Sequence, residues 1–363
     1  MLFSLTPKSK REDFFDREEE LAKLHQLAQL YPLVVITGLR RVGKSSLVKV
    51  FLNESESPSI ILDGRKVYEM SGGNISSVHL LRVLSDEFAK LSKSQKIVNV
   101  LRRIRGVSVG GNSVEIDPKE FYLSDAFEKF NRFAEKEGKF FFVFVDEAQY
   151  FRFYGARGGE ELRTLFSYCH DQLPGIRILV TGSEVGVLHD FLKLDDYGSA
   201  LHGRGVGFLT LKPFNFEQSV EFLRRGFEEA GITPGFNLEE IVSELDGVVG
   251  YLVLFGVKYL ETRDREGALR EVLSTLKALF ERELSELSRR SPRYLFLLKS
   301  VAQGINTWSG LRNVLHARGD IIGDSRLYSL LEVLEKMSLI EKTPDGYKIT
   351  DVVLGKMLKE GMI

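Results

Sequence analysis

Leu33-Val34-Val35-Ile36 and then Thr37 run straight into Gly38-Leu39-Arg40-Arg41-Val42-Gly43-Lys44-Ser45, and helical spacing follows over residues 46–53. A short, unbroken apolar run reads as a strand buried on both faces. The octet after it fits the Walker A pattern of Gly, four residues, then Gly-Lys-Ser. Glycines let such a backbone curl so that successive N–H groups face one phosphate, and the helix N-terminus adds the positive end of its dipole. Lys44 is placed for the β- and γ-phosphates of a nucleotide, and Ser45 for a magnesium ion. A strand buried on both faces needs parallel neighbours joined by crossover helices. This one stretch therefore commits the chain to an α/β sheet domain.

The chain continues in the same alternation. Asp16 reads as the N-cap of a helix carrying Leu21, Leu24, Leu27 and Ala28 at helical spacing, stopped by Tyr31-Pro32. Strands are expected at 59–63, 140–145, 176–181 and 207–211, and helices at 78–91, 125–136 and 160–171. After Lys212-Pro213-Phe214 the pattern turns helical, over 216–230, 238–245, 250–260 and 267–288. From residue 291, helices at 292–303, 308–317 and 325–338 precede a hairpin, 339–342 with 347–350, around Pro344-Asp345-Gly346. Three helices and a two-stranded wing are the order of a winged helix-turn-helix. The expected division is a sheet domain over 1–212, a helical lid over 213–290 and a winged helix over 291–363.

Composition narrows the function classes. With 43% hydrophobic and 28% charged residues the chain is globular rather than disordered. Fifty basic residues face fifty-one acidic ones, so there is no global nucleic-acid signature and any basic surface is local. The local candidate is Lys90–Arg105, where no acid falls between Glu87 and Glu115. It leads into a hairpin, 107–109 with 113–116, turning at Gly110-Gly111-Asn112. This insertion, about 90–118, reads either as a solvated basic helix with a surface hairpin or as a contact for nucleic acid or an acidic partner. The single cysteine, Cys169, excludes a disulfide framework, and it reads as a buried apolar residue. The N-terminus lacks the apolar core of a signal peptide, and the longest strongly apolar uncharged run, 247–257, falls short of the ~18 residues of a membrane span. A soluble, cytoplasmic protein is expected.

Two further strand ends carry chemistry. Phe140-Phe141-Phe142-Val143-Phe144-Val145 delivers Asp146-Glu147, the Walker B arrangement. Asp146 is the candidate to hold magnesium through water, and Glu147 the candidate to orient or deprotonate an attacking water. Gln149 is close enough to support them. The run Ile176–Val180 ends in Thr181-Gly182-Ser183-Glu184. If it lies between the other two strands, Thr181 or Ser183 reaches the γ-phosphate or the water as a sensor. The alternative is that Ser183 caps the next segment.

With these motifs in order, the chain resembles archaeal ATPases of the AAA+/STAND group, relatives of the origin-initiator ATPases. Phe14-Phe15-Asp16-Arg17-Glu18 matches the family's Phe-x-x-Arg-Glu box, and Asp146-Glu147-Ala148-Gln149 and Thr181-Gly182-Ser183 follow at family spacing. Gly203-Arg204, Leu211-Lys212-Pro213-Phe214 and Glu221-Phe222-Leu223 match as well. The resemblance implies a P-loop, AAA+-like parallel sheet with a helical lid and a C-terminal winged helix. It implies binding of ATP or ADP with Mg²⁺, and hydrolysis to ADP and phosphate. Phe15 and Arg17 would flank the adenine, and Gly38, Leu39, Arg40, Arg41, Val42, Gly43, Lys44, Ser45 and Ser46 would cradle the phosphates. Ser45 and Asp146 would hold the metal. Lys44, Glu147, Ser183 and Arg204 would be catalytic, Arg204 as an arginine finger near the carboxyl-end loops of the sheet. The family's lid carries Gly-x-Pro, whereas Asp246-Gly247-Val248-Val249-Gly250 has valine there, which weakens any expected lid contact to nucleotide. A nucleotide-gated DNA-binding or regulatory switch with little turnover is the competing reading. The third winged-helix helix offers Arg326 and Lys336 against Asp324, Glu332 and Glu335, and the wing adds Lys342 and Lys348. That is thin for base readout. The domain is expected to pack on the ATPase body or a protein partner, with only weak, non-specific DNA contact.

Overall fold

The structure is a computed structural model describing residues 1–111 and 113–363. In chain order the sheet unit contains α1 (Glu18–Leu30), β1 (Leu33–Thr37), α2 (Lys44–Glu54), β2 (Ser59–Asp63), α3 (Gly64–Met70), α4 (Ser77–Leu91) and α5 (Gln95–Leu101). The hairpin β3 (Val107–Gly110) and β4 (Ser113–Ile116) follows, then α6 (Leu123–Glu137), β5 (Phe141–Asp146), a 3₁₀ segment Ala148–Phe153, α7 (Glu160–Gln172), β6 (Ile176–Gly182), α8 (Val185–Leu192) and β7 (Val206–Thr210). Five strands form one parallel sheet in the order β2-β5-β6-β1-β7. The three inner strands are buried along their length except at the final Asp146, while β2 and β7 alternate inward and outward as edges do. Helices cover both faces. On one, Phe130 stacks on Phe141 with ring centroids 4.1 Å apart, and on the other Phe51 meets Phe142 edge-on at 5.2 Å. Each such buried side chain stabilises the sheet by roughly 1.5–3 kcal/mol.

The strand ends that matter share one edge. The register pairs Asp63 with Asp146 and sets Thr37 beside Gly182 and Thr210. β6 lies between β5 and β1, the order that brings three motifs to a single point.

Beyond β7 come α9 (Phe216–Glu229), α10 (Leu238–Leu245), α11 (Val249–Thr262) and α12 (Arg265–Arg290). The C-terminal unit has α13 (Arg293–Ala302), α14 (Trp308–Ala317), α15 (Asp324–Lys336), the wing β8 (Ile340–Thr343) and β9 (Gly346–Ile349), and α16 (Val352–Lys359). The lid helices and the winged helix share one hydrophobic core, running from Phe214 to Leu358. Tyr251 of α11 donates to Asp351 Oδ2, before α16, at 2.6 Å inside it. The N-terminal Phe3 also belongs to this core, inserted where a Cβ on Gly226 or Gly256 would lie 2.3–2.5 Å from its ring.

Several local expectations change. Asp16 does not cap α1: Arg17 stands at the N-cap in the left-handed region, φ 73°. The Asp16 carboxylate instead accepts from Arg17 N at 2.8 Å and from Gln218 Nε2 at 2.6 Å, tying this turn to the lid. The short helices α3, α8 and α16 lie outside the expected elements, being too brief for periodicity to show, while α5 falls in the Lys90–Arg105 stretch, for which a basic helix is one of the two readings. The hairpin after the basic stretch pairs Val107 with Ile116 as expected, and Asn112 of its turn lies outside the described residues.

Candidate active site

The phosphate loop is shaped by positions that exclude a side chain. Gly38 has φ 142°, and a Cβ there would lie 2.2 Å from the Leu211 carbonyl oxygen, so the loop and the strand β7 exit meet backbone to backbone. Gly43, at φ 103°, turns the chain into α2. The backbone N–H groups of Gly43, Lys44, Ser45 and Ser46 donate to no acceptor among the described residues, and they gather at the N-terminus of α2. Lys44, only 5% exposed, folds back over the loop, its Nζ donating to Gly38 O at 2.9 Å and Leu39 O at 2.8 Å. Burial brings its pKa down to about 8, against the opposing charges of Glu147 and Asp146. This donor set, all N–H groups and one ammonium, fits an anion as highly charged as a triphosphate.

Asp146 ends β5 directly opposite. Ser45 Oγ donates to its Oδ2 at 2.7 Å, and Thr181 donates to Oδ1. Burial raises the Asp146 pKa, opposed by those two hydrogen bonds. Glu147 sits in the left-handed region at φ 49°, with Thr181 Oγ1 accepting from its N–H at 3.1 Å. Its carboxylate Oε2 accepts from Gln149 Nε2 at 2.6 Å and from Ser183 Oγ at 2.8 Å. Burial favours its protonated form, but the charges of Lys44 and Arg65 and the two side-chain hydrogen bonds outweigh it and hold the pKa below the usual carboxylate value. A buried carboxylate kept ionised, aimed by two donors, can accept a proton from water.

A cleft of about 290 Å³ opens over the loop, lined by Arg41–Ser46, Glu147, Phe15, Arg17, Val249, Gly250 and the N-terminal residues Leu5–Lys8. A larger cavity of about 480 Å³ sits at the amino ends of the strands by His25 and Phe140, away from all of these groups.

The structure thus brings Gly38–Ser46, Asp146, Glu147, Gln149, Thr181 and Ser183 together. Thr181 contacts the two acids rather than open cleft, and Ser183 holds Glu147 rather than capping α8, whose N-cap is Glu184 without a side-chain cap. Phe15 meets Phe214 and Phe222 edge-on, and Arg17 is buried over Phe214 with Nη2 donating to Lys212 O at 2.7 Å. Both border the cleft while packing against the segment that follows β7. The valine at 249 does not separate the lid from the loop: Gly250 N donates to Arg41 O at 3.0 Å, a backbone contact indifferent to that side chain.

Arg204 requires a correction. It precedes β7 and so stands at the amino edge of the sheet, opposite the carboxyl-end loops, where Nε donates to Asp171 Oδ1 at 2.9 Å. It does not join this chain's own cleft.

Four contributors escape the sequence reading. Arg65, on α3, reaches Glu147 Oε1 at 3.9 Å, and its buried Nε has no partner among the described residues. Glu184 and Glu283 bind the loop's Arg40. Lys8 N donates to Ser46 Oγ at 3.0 Å, laying the N-terminal segment along the cleft. Only Glu184, beside Ser183, had a nearby motif to point to it.

Comparison with known proteins supplies the context. Residues 14–255 match a family described as an ATPase domain predominantly from Archaea, and residues 288–350 match the C-terminal winged helix-turn-helix domain of MCM proteins. The solved Walker-type ATPase of Pyrococcus abyssi is 44% identical, with 99% of this chain and 100% of that one aligned at a TM-score of 0.88. The Aeropyrum pernix ORC2 protein, solved in complexes with ADPNP and ADP, is 14% identical over 99% of this chain and 97% of its own, TM-score 0.52, a likeness of fold. An uncharacterized protein of Methanocaldococcus jannaschii is 21% identical over 83% of this chain, which spans 57% of that relative's length.

Proposed function

The chain belongs to this predominantly archaeal ATPase family, and on that premise we propose that it binds ATP with Mg²⁺ in the cleft above Gly38–Ser46 and hydrolyses it to ADP and phosphate. The observation that carries the reading is the meeting of the three strand ends: the Ser45 hydroxyl lies 2.7 Å from Asp146, with Lys44 buried and Glu147 half-buried beside them. Lys44 binds the β- and γ-phosphates. Ser45 and Asp146 hold the magnesium ion, which screens phosphate charge when bound. Glu147 orients and deprotonates water, and Ser183 and Gln149 position Glu147. Phe15 and Arg17 border the adenine, and the lid, through Gly250, covers the loop. Arg204, turned away from its own site, acts in trans on a second copy if it is a finger.

The division into a sheet domain to 212, a lid to 290 and a winged helix beyond is part of the same proposal, with nucleotide state coupled to movement of the last two. Titration calorimetry tests the site. The wild-type chain should bind ATP·Mg²⁺, and Lys44→Ala should lose affinity while its circular dichroism stays unchanged and its unfolding temperature does not fall. Unchanged affinity would refute the assignment.

One observation favours a slower, switch-like protein. Glu147 is engaged by Gln149, Ser183 and Arg65 at once, so a free chain holds its base occupied. Phosphate release should then rise on adding a partner, and a duplex DNA titration is the first arm to run. The winged helix meets the sheet unit through α15, as its sparse base-reading side chains suggest, which supports packing over specific DNA readout.

A further inference from the structure

Arg40, third in the phosphate loop, holds three groups through its guanidinium. One Nη pairs with Glu283 on α12, the other with Glu184 Oε1 at 3.0 Å, and Nε donates to Ser183 Oγ at 3.3 Å. Burial opposes its charge, yet the two carboxylates raise its pKa further, so Arg40 stays a cation. The positions of those carboxylates are informative. Glu283 lies about two turns before the end of α12 at Arg290, where the chain enters the winged helix. Glu184 is the N-cap of α8, and α8 is where the winged helix rests. Val185 N donates to Ser338 Oγ at 3.0 Å, and Lys336 Nζ meets Asp190 Oδ2 at 3.0 Å. Gly186 faces α15 so closely that a Cβ would stand 2.5 Å from Lys336 Cα. One side chain of the phosphate loop thus bonds to both elements that place the C-terminal unit.

We propose that Arg40 is the contact by which a nucleoside triphosphate, as distinct from a diphosphate, releases the winged helix from α8. The inference rests on the reading that the loop binds ATP. Arg40 is bonded to carboxylates only while no stronger anion competes, and a guanidinium forms the same paired, charge-assisted hydrogen bonds with phosphate. Engaging a terminal phosphate takes Arg40 from Glu283 and Glu184. Glu283 is then left partly buried and unpaired among the described residues, and Glu184 keeps only Arg152, 3.7 Å away, so both acids repel the incoming charge. Arg40 reaches Glu283 only in the docked arrangement, whereas its pair with Glu184 lies within the sheet unit, so a ligand that takes Arg40 from Glu283 favours the undocked one, as a population shift requires. The shorter diphosphate, held by the backbone N–H groups, leaves Arg40 where it is.

Distance measurement between spin labels tests this on the full chain. Labels go on Thr164→Cys in α7 and Tyr328→Cys in α15, both exposed. Cys169 is 1% exposed with its pKa pushed up to about 12, so it resists labelling. Calorimetry on the same samples establishes that nucleotide is bound. The expected result is one narrow distance without nucleotide and with ADP·Mg²⁺, and a longer, broader distribution with a non-hydrolysable triphosphate. Glu283→Gln should show part of that broad population with no nucleotide. Arg40→Gln, with triphosphate bound, should show the same distribution as without it. A bound triphosphate that leaves the wild-type distance unchanged overturns the inference and spares the ATP reading, as does an Arg40→Gln response equal to wild type. No triphosphate binding to wild type would overturn both.

Discussion

Raising the pH from 7 to 9 should weaken ATP binding and stabilise the empty protein at once, because both depend on the same buried ammonium. Lys44 is 5% exposed with a pKa near 8, lowered from 10.5 chiefly by burial, while Glu147 and Asp146 pull it up. Only the charged form can pair with phosphate. The ammonium fraction in the free protein falls from ~0.9 at pH 7 to ~0.5 at pH 8 and ~0.1 at pH 9, so apparent affinity drops about tenfold over that range. Binding at pH 8 should take up about half a proton per nucleotide, since bound phosphate restores the charge. Stability moves the other way. The unfolded chain keeps its proton up to pH 10.5, so between pH 8 and 10.5 it binds more protons than the folded one. The cost of burying the ammonium, about 3 kcal/mol and fully present below pH 8, is relieved as pH rises through that window. Calorimetry in two buffers of different ionisation heat reads the proton uptake, and urea melts read the stability. Affinity constant from pH 7 to 9 with no buffer dependence would refute the account of Lys44.

Other perturbations probe other joints of the structure. Tyr251→Phe removes the 2.6 Å donor to Asp351, a group already pushed up by burial, and should cost about 1–3 kcal/mol in chemical denaturation, melting lid and winged helix together. Two separate transitions would contradict the shared core. Arg204→Ala should lower turnover far more than ATP affinity, and wild-type turnover per chain should rise with protein concentration; equal losses, or none, would end the finger reading. In gel-shift titrations the full chain should hold random duplexes only weakly and lose them at moderate salt. Tight, sequence-selective binding at physiological salt would make DNA regulation the leading function.

The sheet and the centre of the site were legible because short-range chemistry dictates them. An unbroken apolar strand, glycines with no room for a Cβ, and acids at a strand end carry their meaning within ten residues of sequence. Gly38, Lys44, Ser45, Asp146 and Glu147 were recoverable on that ground. Arg65 and Glu283 were not, because each reaches the site across the fold from an ordinary helical position, and a lone charge on a helix reads as a solvated face. The expected placement of Arg204 near the carboxyl-end loops failed for a topological reason: a residue before a parallel strand sits at the edge away from the loop that follows one. Phe3 and Lys8 show the same limit, since a dozen residues without periodicity give no sign of lying between the lid helices and along the cleft.

ATP hydrolysis by these residues is proposed to depend on Glu147 as the base. Phosphate release measured beside ATP binding, for wild type and Glu147→Gln, tests it most directly. The substitution keeps the shape of a side chain that Gln149 and Ser183 hold in place and removes its charge. Glu147→Gln should bind ATP·Mg²⁺ as wild type does and release phosphate at least ~10²-fold more slowly. Wild-type phosphate release from Glu147→Gln would contradict it.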